Sequence, residues 1–176
     1  MKIRIFLGVI VVLATIGAIS GMAVAKEALF NGYNAVVVQE FKVPTNVPAP
    51  DTSGEQTAEA IVYQVRRYSQ KYGLFDMVIK EGTARVPAGK KVLLIKGEVR
   101  EYTAPTLRGE IYHHTPWGHV AGSAFFAAHY QFIDKATGKV LEEQDFRTSS
   151  TDRDNTVDYA IQRNAEAAAK YIYKNK

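Results

Sequence analysis

The sequence has 176 residues, of which 22 are basic and 18 acidic, and it contains four histidines and no cysteine. The lack of cysteine excludes disulfides, thiolate metal sites, a cysteine nucleophile and a lipid attached through cysteine. The basic residues are scattered rather than grouped, so we expect no nucleic-acid-binding surface.

The first 25 residues have the pattern of a secretory signal peptide. Lys2 and Arg4 supply a positive start, residues 5–16 are apolar, and Ala23-Val24-Ala25 forms an A-x-A cleavage pattern. We predict cleavage after Ala25, which leaves no stable membrane anchor and places the protein in the periplasm or outside the cell. The alternative is an uncleaved anchor, because residues 5–25 carry no charge and are long enough to span a bilayer.

Behind this segment, residues 26–34 are predicted to form a short lead and residues 35–176 a single α/β domain. Residues 35–41 are short and β-branched, which predicts a buried strand. Ser53 with Gln56 is typical of a capping box, and we expect it to begin a helix that ends at Gly73. The apolar period then changes to two in residues 74–80, which predicts a second strand parallel to the first.

The second half of the chain predicts an antiparallel meander followed by a closing helix. The expected strands are residues 92–102, 122–134 and 140–148, with Gly138 in the turn between the last two. Residues 149–152 offer several N-caps for the helix. Its apolar stripe comprises Val157, Ile161, Ala165, Ala168 and Ile172. The predicted fold is α/β of the α+β type, in the order β-α-β-β-β-β-α, with a mixed sheet of about five strands and both helices on one face.

The connection over residues 103–121 is long for a compact domain, and such loops tend to be functional. Aromatic and arginine side chains are common at interface hot spots, so we interpret it as a candidate partner-binding loop. Its candidate residues are Arg108, Tyr112, His113, His114, Trp117 and His119. Two alternatives stay open. Trp117 can fold back over the end of the sheet, and the imidazoles, with His129 on the next strand, can bind zinc or copper, although their spacing matches no standard site.

Other groups of reactive side chains have simpler explanations. Glu143 and Asp145 project from one strand face and are typical of solvated side chains rather than of a catalytic pair. Residues 149–151 lack the surroundings of an activated nucleophile, and Gly138-Lys139 lacks the upstream glycine of a phosphate-binding loop. We therefore predict no catalytic residue, no metal and no cofactor.

The pattern of the chain resembles a family of bacterial exported proteins and lipoproteins known as domain of unknown function 4410. The resemblance rests on the valine run after Tyr33, the proline-rich loop, the helix ending Tyr72-Gly73, the strand from Val92 and the hairpin after Asp134. It implies a fold similar to the amino-terminal domain of TolB and the curli secretion lipoprotein, whose domains bind other envelope proteins. Many relatives carry a lipobox cysteine that this chain lacks, so a lipoprotein is not expected.

The leading hypothesis is a non-enzymatic envelope protein that binds or assembles with another envelope protein, through a sheet edge or the long loop. One alternative is a metal-dependent hydrolase or metal binder that uses the histidine-rich loop. Another is a small-ligand carrier, with its pocket between helices and sheet. The small residues that would leave room for a ligand are Gly122, Ser123, Ala124, Ala127 and Ala128.

Overall fold

The computed structural model describes residues 28–105, 122–151 and 154–176. The predicted signal peptide and the candidate partner-binding loop lie outside these residues. The elements follow the predicted order, β-α-β-β-β-β-α. They are β1 (Ala35–Val38), α1 (Ser53–Tyr72), β2 (Met77–Lys80), β3 (Val92–Thr103), β4 (Phe125–Asp134), β5 (Val140–Ser149) and α2 (Val157–Lys174).

The strands form one five-stranded mixed sheet in the order β2-β1-β3-β4-β5. β1 pairs in parallel with both neighbours, so that Ala35 lies opposite Met77 on one side and Val92 on the other. β3, β4 and β5 form the predicted antiparallel meander. Every residue of β1 is buried, which explains its unbroken apolar sequence. The parallel pairing of β1 with β2 confirms the sequence prediction.

Both helices pack against each other and against one face of the sheet. Alternate strand residues point into this layer, among them Val36 and Val38 of β1 and Leu93 and Ile95 of β3. Within the described residues, no helix is both long enough and apolar enough to cross a membrane. The stripe predicted on α2 is buried at every position, namely Val157, Ile161, Ala165, Ala168 and Ile172.

The described part of the lead packs as part of the same core. Phe30 is fully buried, and its ring centroid lies 5.2 Å from that of Phe132. Tyr33 is also buried, and its hydroxyl donates to Asp134 Oδ2 at 2.9 Å. Burial, together with this bond to a carboxylate, raises the pKa of Tyr33 to about 12. These contacts join the start of the described chain to the turn between β4 and β5.

The first strand ends at Val38, whereas the sequence predicted that it would extend to residue 41. The reason is that Phe41 turns into the core, where its ring packs edge-on to Tyr130 with centroids 4.9 Å apart. Gly97 permits this approach, because an added Cβ would lie 2.3 Å from Phe41 Cε1 and 2.1 Å from the carbonyl oxygen of His129.

The capping residues predicted for the two helices were wrong. α1 follows Thr52 without a side-chain cap, and the buried Ser53 hydroxyl has no hydrogen-bond partner among the described residues, so the capping box with Gln56 does not form. The N-cap of α2 is Thr156 rather than a residue in 149–152, and its Oγ1 accepts from Tyr159 N at 3.1 Å. The predicted end of α1 is confirmed, since Gly73 takes a left-handed conformation with φ of 66°.

Candidate partner-binding surface

The candidate loop residues lie within residues 106–121, outside the described part of the chain, so their contacts stay predictions. The structure does define where this connection leaves the domain. β3 ends at Thr103 and β4 begins at Phe125, and these two residues pair directly in the antiparallel ladder. The connection therefore starts and finishes on neighbouring strands at one end of the sheet, which we call the loop end of the domain.

A polar network fixes the backbone at residues 122–124, where this connection rejoins the sheet. Ser150 Oγ and Asn155 Oδ1 both accept from Ala124 N, at 2.8 and 3.1 Å. Asn155 Nδ2 donates to the Gly122 carbonyl oxygen at 3.0 Å, and Ser150 Oγ donates to Asn155 Oδ1 at 2.5 Å. Ala124 and Ser150 are buried, so these bonds hold residues 122–124 in a defined position. Ser150 thus supports the loop instead of capping a helix.

A second cluster lies beside the loop end, on the face of the sheet opposite the helices. Arg147 of β5 donates to both carboxylate oxygens of Glu101 of β3, from Nε at 2.6 Å and from Nη2 at 3.0 Å. The guanidinium carbon also lies 4.4 Å from the ring centroid of Phe125. The hydrogen bond from Arg147 holds the pKa of Glu101 below its usual value, so the carboxylate stays ionised. The bridge spans β4 and stiffens the strands that carry the loop.

His129 lies on the same face of the sheet, on β4. Its Nδ1 is 3.0 Å from Asp145 Oδ1, and its Nε2 is 3.9 Å from Glu143 Oε1. Glu143 in turn accepts from Gln131 Nε2 at 2.6 Å. In the part of the chain that the structure describes, no group of three or more His, Cys, Asp or Glu side chains could hold a metal ion. The metal-site hypothesis therefore depends on the loop histidines, which lie outside that part.

β5 forms a long edge of the sheet. It pairs with β4 on one side, and no other strand of the described residues pairs with its outer side. It has ten residues, whereas β2 at the opposite edge has four. An edge strand presents backbone groups that a second chain can extend, and charged side chains restrict which chain can do so. Here Glu142, Glu143 and Asp145 supply negative charge along the edge.

The space proposed for a small ligand is filled by protein side chains in the described structure. Ala124 and Ala128 point into the layer between helices and sheet, where Phe126, Tyr130 and Phe132 are fully buried around them. The Tyr130 hydroxyl donates to Asn164 Oδ1 at 2.6 Å. Because large rings and a buried hydrogen bond occupy this layer, Ala124 and Ala128 serve close packing of the helices on the sheet.

Sequence reasoning missed Asn155 and Glu101 as parts of the loop support. Asn155 lies 31 positions from Ala124, and Glu101 lies 46 positions from Arg147. No local pattern joins residues at such separations, because strand register and the path of the chain after β5 decide which of them meet. The sequence offered one hint of this support, namely a polar residue, Asn155, just before the closing helix.

No family model matches the chain, and no curated protein does. Among solved structures, the PelC dodecamer from Paraburkholderia phytofirmans is 13% identical, with 79% of this chain and 88% of that chain covered, at a TM-score of 0.54. A protein from Xanthomonas campestris of the domain-of-unknown-function 330 family is 10% identical. The match covers 81% of this chain and 84% of that chain, at a TM-score of 0.46. TolB from Acinetobacter baumannii is 10% identical, with 81% of this chain but 28% of that chain covered, at 0.43.

The likeness to PelC shows the fold alone, because the identity is low. The other two TM-scores are too small to carry an argument. The likeness to PelC agrees with the α+β fold that the sequence predicted. Membership of the domain-of-unknown-function 4410 family stays a prediction.

Proposed function

We propose that this chain is an exported, non-enzymatic binding module that contacts another envelope protein through the loop of residues 106–121. The observation that carries the proposal is the rigid support of that loop. The strands on either side of it pair directly, and Asn155 and Ser150 hold Ala124, close behind the loop, through hydrogen bonds. A long loop on a rigid scaffold is the usual arrangement of a protein recognition site.

The side chains carried by this loop suit protein recognition. Trp117, Tyr112 and Arg108 belong to the residue types most common at interface hot spots. A fixed base also lowers the conformational entropy that the loop loses when it binds. The absence of a catalytic constellation in the sequence supports a non-enzymatic role.

The test is affinity capture from envelope extract with the exported protein as bait. The captured protein is then purified and titrated against the wild type and against a Trp117→Ala/Tyr112→Ala variant. We expect affinity to fall at least about tenfold in the double variant. Tyr63→Ala is the matched control, since Tyr63 is 60% exposed on α1 and lies outside the loop. Equal affinities for the wild type and the double variant would remove the loop from the proposal.

Self-association is a second candidate for the same binding role. PelC, which shares this fold, is a dodecamer, and β5 offers a long sheet edge to another copy of the chain. Sedimentation velocity over a wide concentration range tests it. A single monomeric species at every concentration would exclude self-association and leave a different envelope protein as the partner.

A further inference from the structure

Lysines collect at the end of the domain opposite the loop end. The last turns of both helices, the start of β3 and the turn between β4 and β5 all meet there. The backbone shows this directly, because Phe30 N donates to Asn175 O at 2.9 Å and Asn34 N donates to Lys91 O at 2.9 Å. We call this surface the lysine end, and its lysines include Lys71, Lys90, Lys91, Lys139, Lys174 and Lys176.

Asp76 and Asp134, the acidic side chains in these turns, already have ion-pair or hydrogen-bond partners. Asp76 forms an ion pair with Lys90. Asp134 accepts from the Tyr33 hydroxyl and from the backbone amides of Ala136 and Thr137. Glu55 and Asp158 lie instead in the first turns of the two helices, where Glu55 pairs with Lys80. In the turns of the lysine end, the lysines therefore outnumber the acidic side chains.

Aromatic rings are exposed beside these lysines. Tyr72 of α1 and Tyr173 of α2 stack with centroids 4.4 Å apart, and each remains more than two fifths exposed. Tyr68 completes the cluster, with its centroid 5.7 Å from that of Tyr72. The Lys71 ammonium lies 5.0 Å from the Tyr72 ring centroid. Exposed tyrosines with adjacent lysines are characteristic of surfaces at the headgroup level of a bilayer.

The described chain also begins at this same end of the domain. The described chain begins at Ala28, and Phe30 is bonded to the end of α2 through Asn175. Residues 1–27 therefore join the domain at the lysine end. They include the uncharged apolar residues 5–25, which are long enough to enter a membrane. If this segment entered a bilayer, it would hold the lysine end close to the membrane surface.

We propose that the lysine end, together with Tyr72 and Tyr173, docks on a bilayer surface that contains anionic phospholipid. The lysines attract the anionic headgroups, and the tyrosine rings lie at the boundary between headgroups and acyl chains. In this orientation the loop end of the domain, where Thr103 pairs with Phe125, faces away from the membrane. The proposal does not depend on the function proposed for that loop.

Vesicle binding of the exported protein tests the charge requirement. Vesicles of phosphatidylcholine alone are compared with vesicles that also contain phosphatidylglycerol, at low and high salt. We expect at least about tenfold stronger binding to the anionic vesicles at low salt, and a loss of most of that difference at high salt. A Lys71→Gln/Lys91→Gln/Lys174→Gln variant should bind the anionic vesicles at least about tenfold more weakly than the wild type.

The matched control is Lys42→Gln/Lys96→Gln/Arg100→Gln, which removes the same charge from a groove on the face of the sheet opposite the helices. Its binding should change by less than about twofold. An equal loss in both triple variants would show a general attraction and overturn the proposal. Equal binding of the wild type to neutral and anionic vesicles would also overturn it, and would favour a protein partner for this surface.

A second measurement reports orientation whether or not residues 1–25 remain attached. The chain has no cysteine, so a single introduced cysteine can carry a polarity-sensitive dye. Gln70→Cys places the dye in the last turn of α1, and Ala104→Cys places it at the loop end. Anionic vesicles should shift the emission of the Gln70→Cys protein to shorter wavelength and leave that of the Ala104→Cys protein unchanged. A shift at Ala104→Cys alone would refute the proposed orientation.

Discussion

The Asn155→Ala substitution should loosen the base of the candidate loop. It removes the acceptor for Ser150 Oγ and one acceptor for Ala124 N, together with the donor to the Gly122 carbonyl. Ala124 N keeps its bond to Ser150 Oγ, and the half-buried Gly122 carbonyl can bond water. The main cost is therefore the buried Ser150 hydroxyl, left without its acceptor. We expect a loss of about 1–3 kcal/mol in the free energy of unfolding.

For a domain of this size, each 1 kcal/mol corresponds to about 2–4 °C in Tm, so the expected decrease is roughly 2–12 °C. Urea or thermal denaturation followed by circular dichroism measures it, and hydrogen exchange should show faster exchange of the Ala124 amide. Gln70→Ala is the control, because this exposed amide on α1 should change stability by less than about 0.5 kcal/mol. Unchanged stability and unchanged Ala124 exchange in Asn155→Ala would refute the idea that Asn155 fixes the loop.

Tyr130→Phe should lower the free energy of unfolding by about 1–3 kcal/mol in urea denaturation, because it leaves the buried Asn164 Oδ1 without its donor. A loss no larger than that of the exposed Tyr63→Phe would contradict this reasoning. The Tyr33 hydroxyl holds the pKa of Asp134 below its usual 3.8, so Asp134 stabilises the fold above about pH 4 and this contribution is lost as the pH falls through the lowered pKa. Asp134→Asn should reduce the fall in the free energy of unfolding at acid pH. An unchanged pH dependence in denaturant titrations would contradict the hydrogen bond between Tyr33 and Asp134. Elemental analysis of untagged protein after dialysis should find less than stoichiometric zinc or copper. A stoichiometric metal that His119→Ala or His129→Ala releases would instead favour the metal-dependent alternative.

Local patterns predicted which helices and strands form better than they predicted the residues at which these elements begin and end. The alternation in β3 placed Leu93, Ile95 and Val99 on the buried face, since side chains alternate along any strand. The cap of α2 was misplaced because several Ser, Thr, Asp and Asn residues precede the helix. The choice among them depends on backbone conformation, and Thr156 has an extended backbone with its side chain accepting from Tyr159 N. The early end of β1 likewise depended on Phe41 reaching Tyr130, a contact between distant parts of the chain.

The candidate loop stays a prediction, because its residues lie outside the described part of the chain. Length and composition were enough to single out the connection after β3 as a loop that could bind a partner, since those are local properties. Its support was not predictable, because Ser150 and Asn155 reach Ala124 only after β4 and β5 have paired and the chain has turned toward α2. A hydrogen bond between such separated residues has no signature in the sequence.

The sequence by itself determined the order of the elements, the parallel pairing of β1 with β2 and the presence of an export pattern at the amino terminus. These follow from hydrophobic periodicity and from short motifs, which act over a few residues. Only the tertiary structure decided that β1 lies between β2 and β3. It also decided that Lys71, Lys91, Lys139 and Lys174, scattered along the chain, share one end of the domain. The physical reason is that strand pairing and helix packing bring together residues far apart in sequence, and the charge of a surface depends on that arrangement rather than on composition.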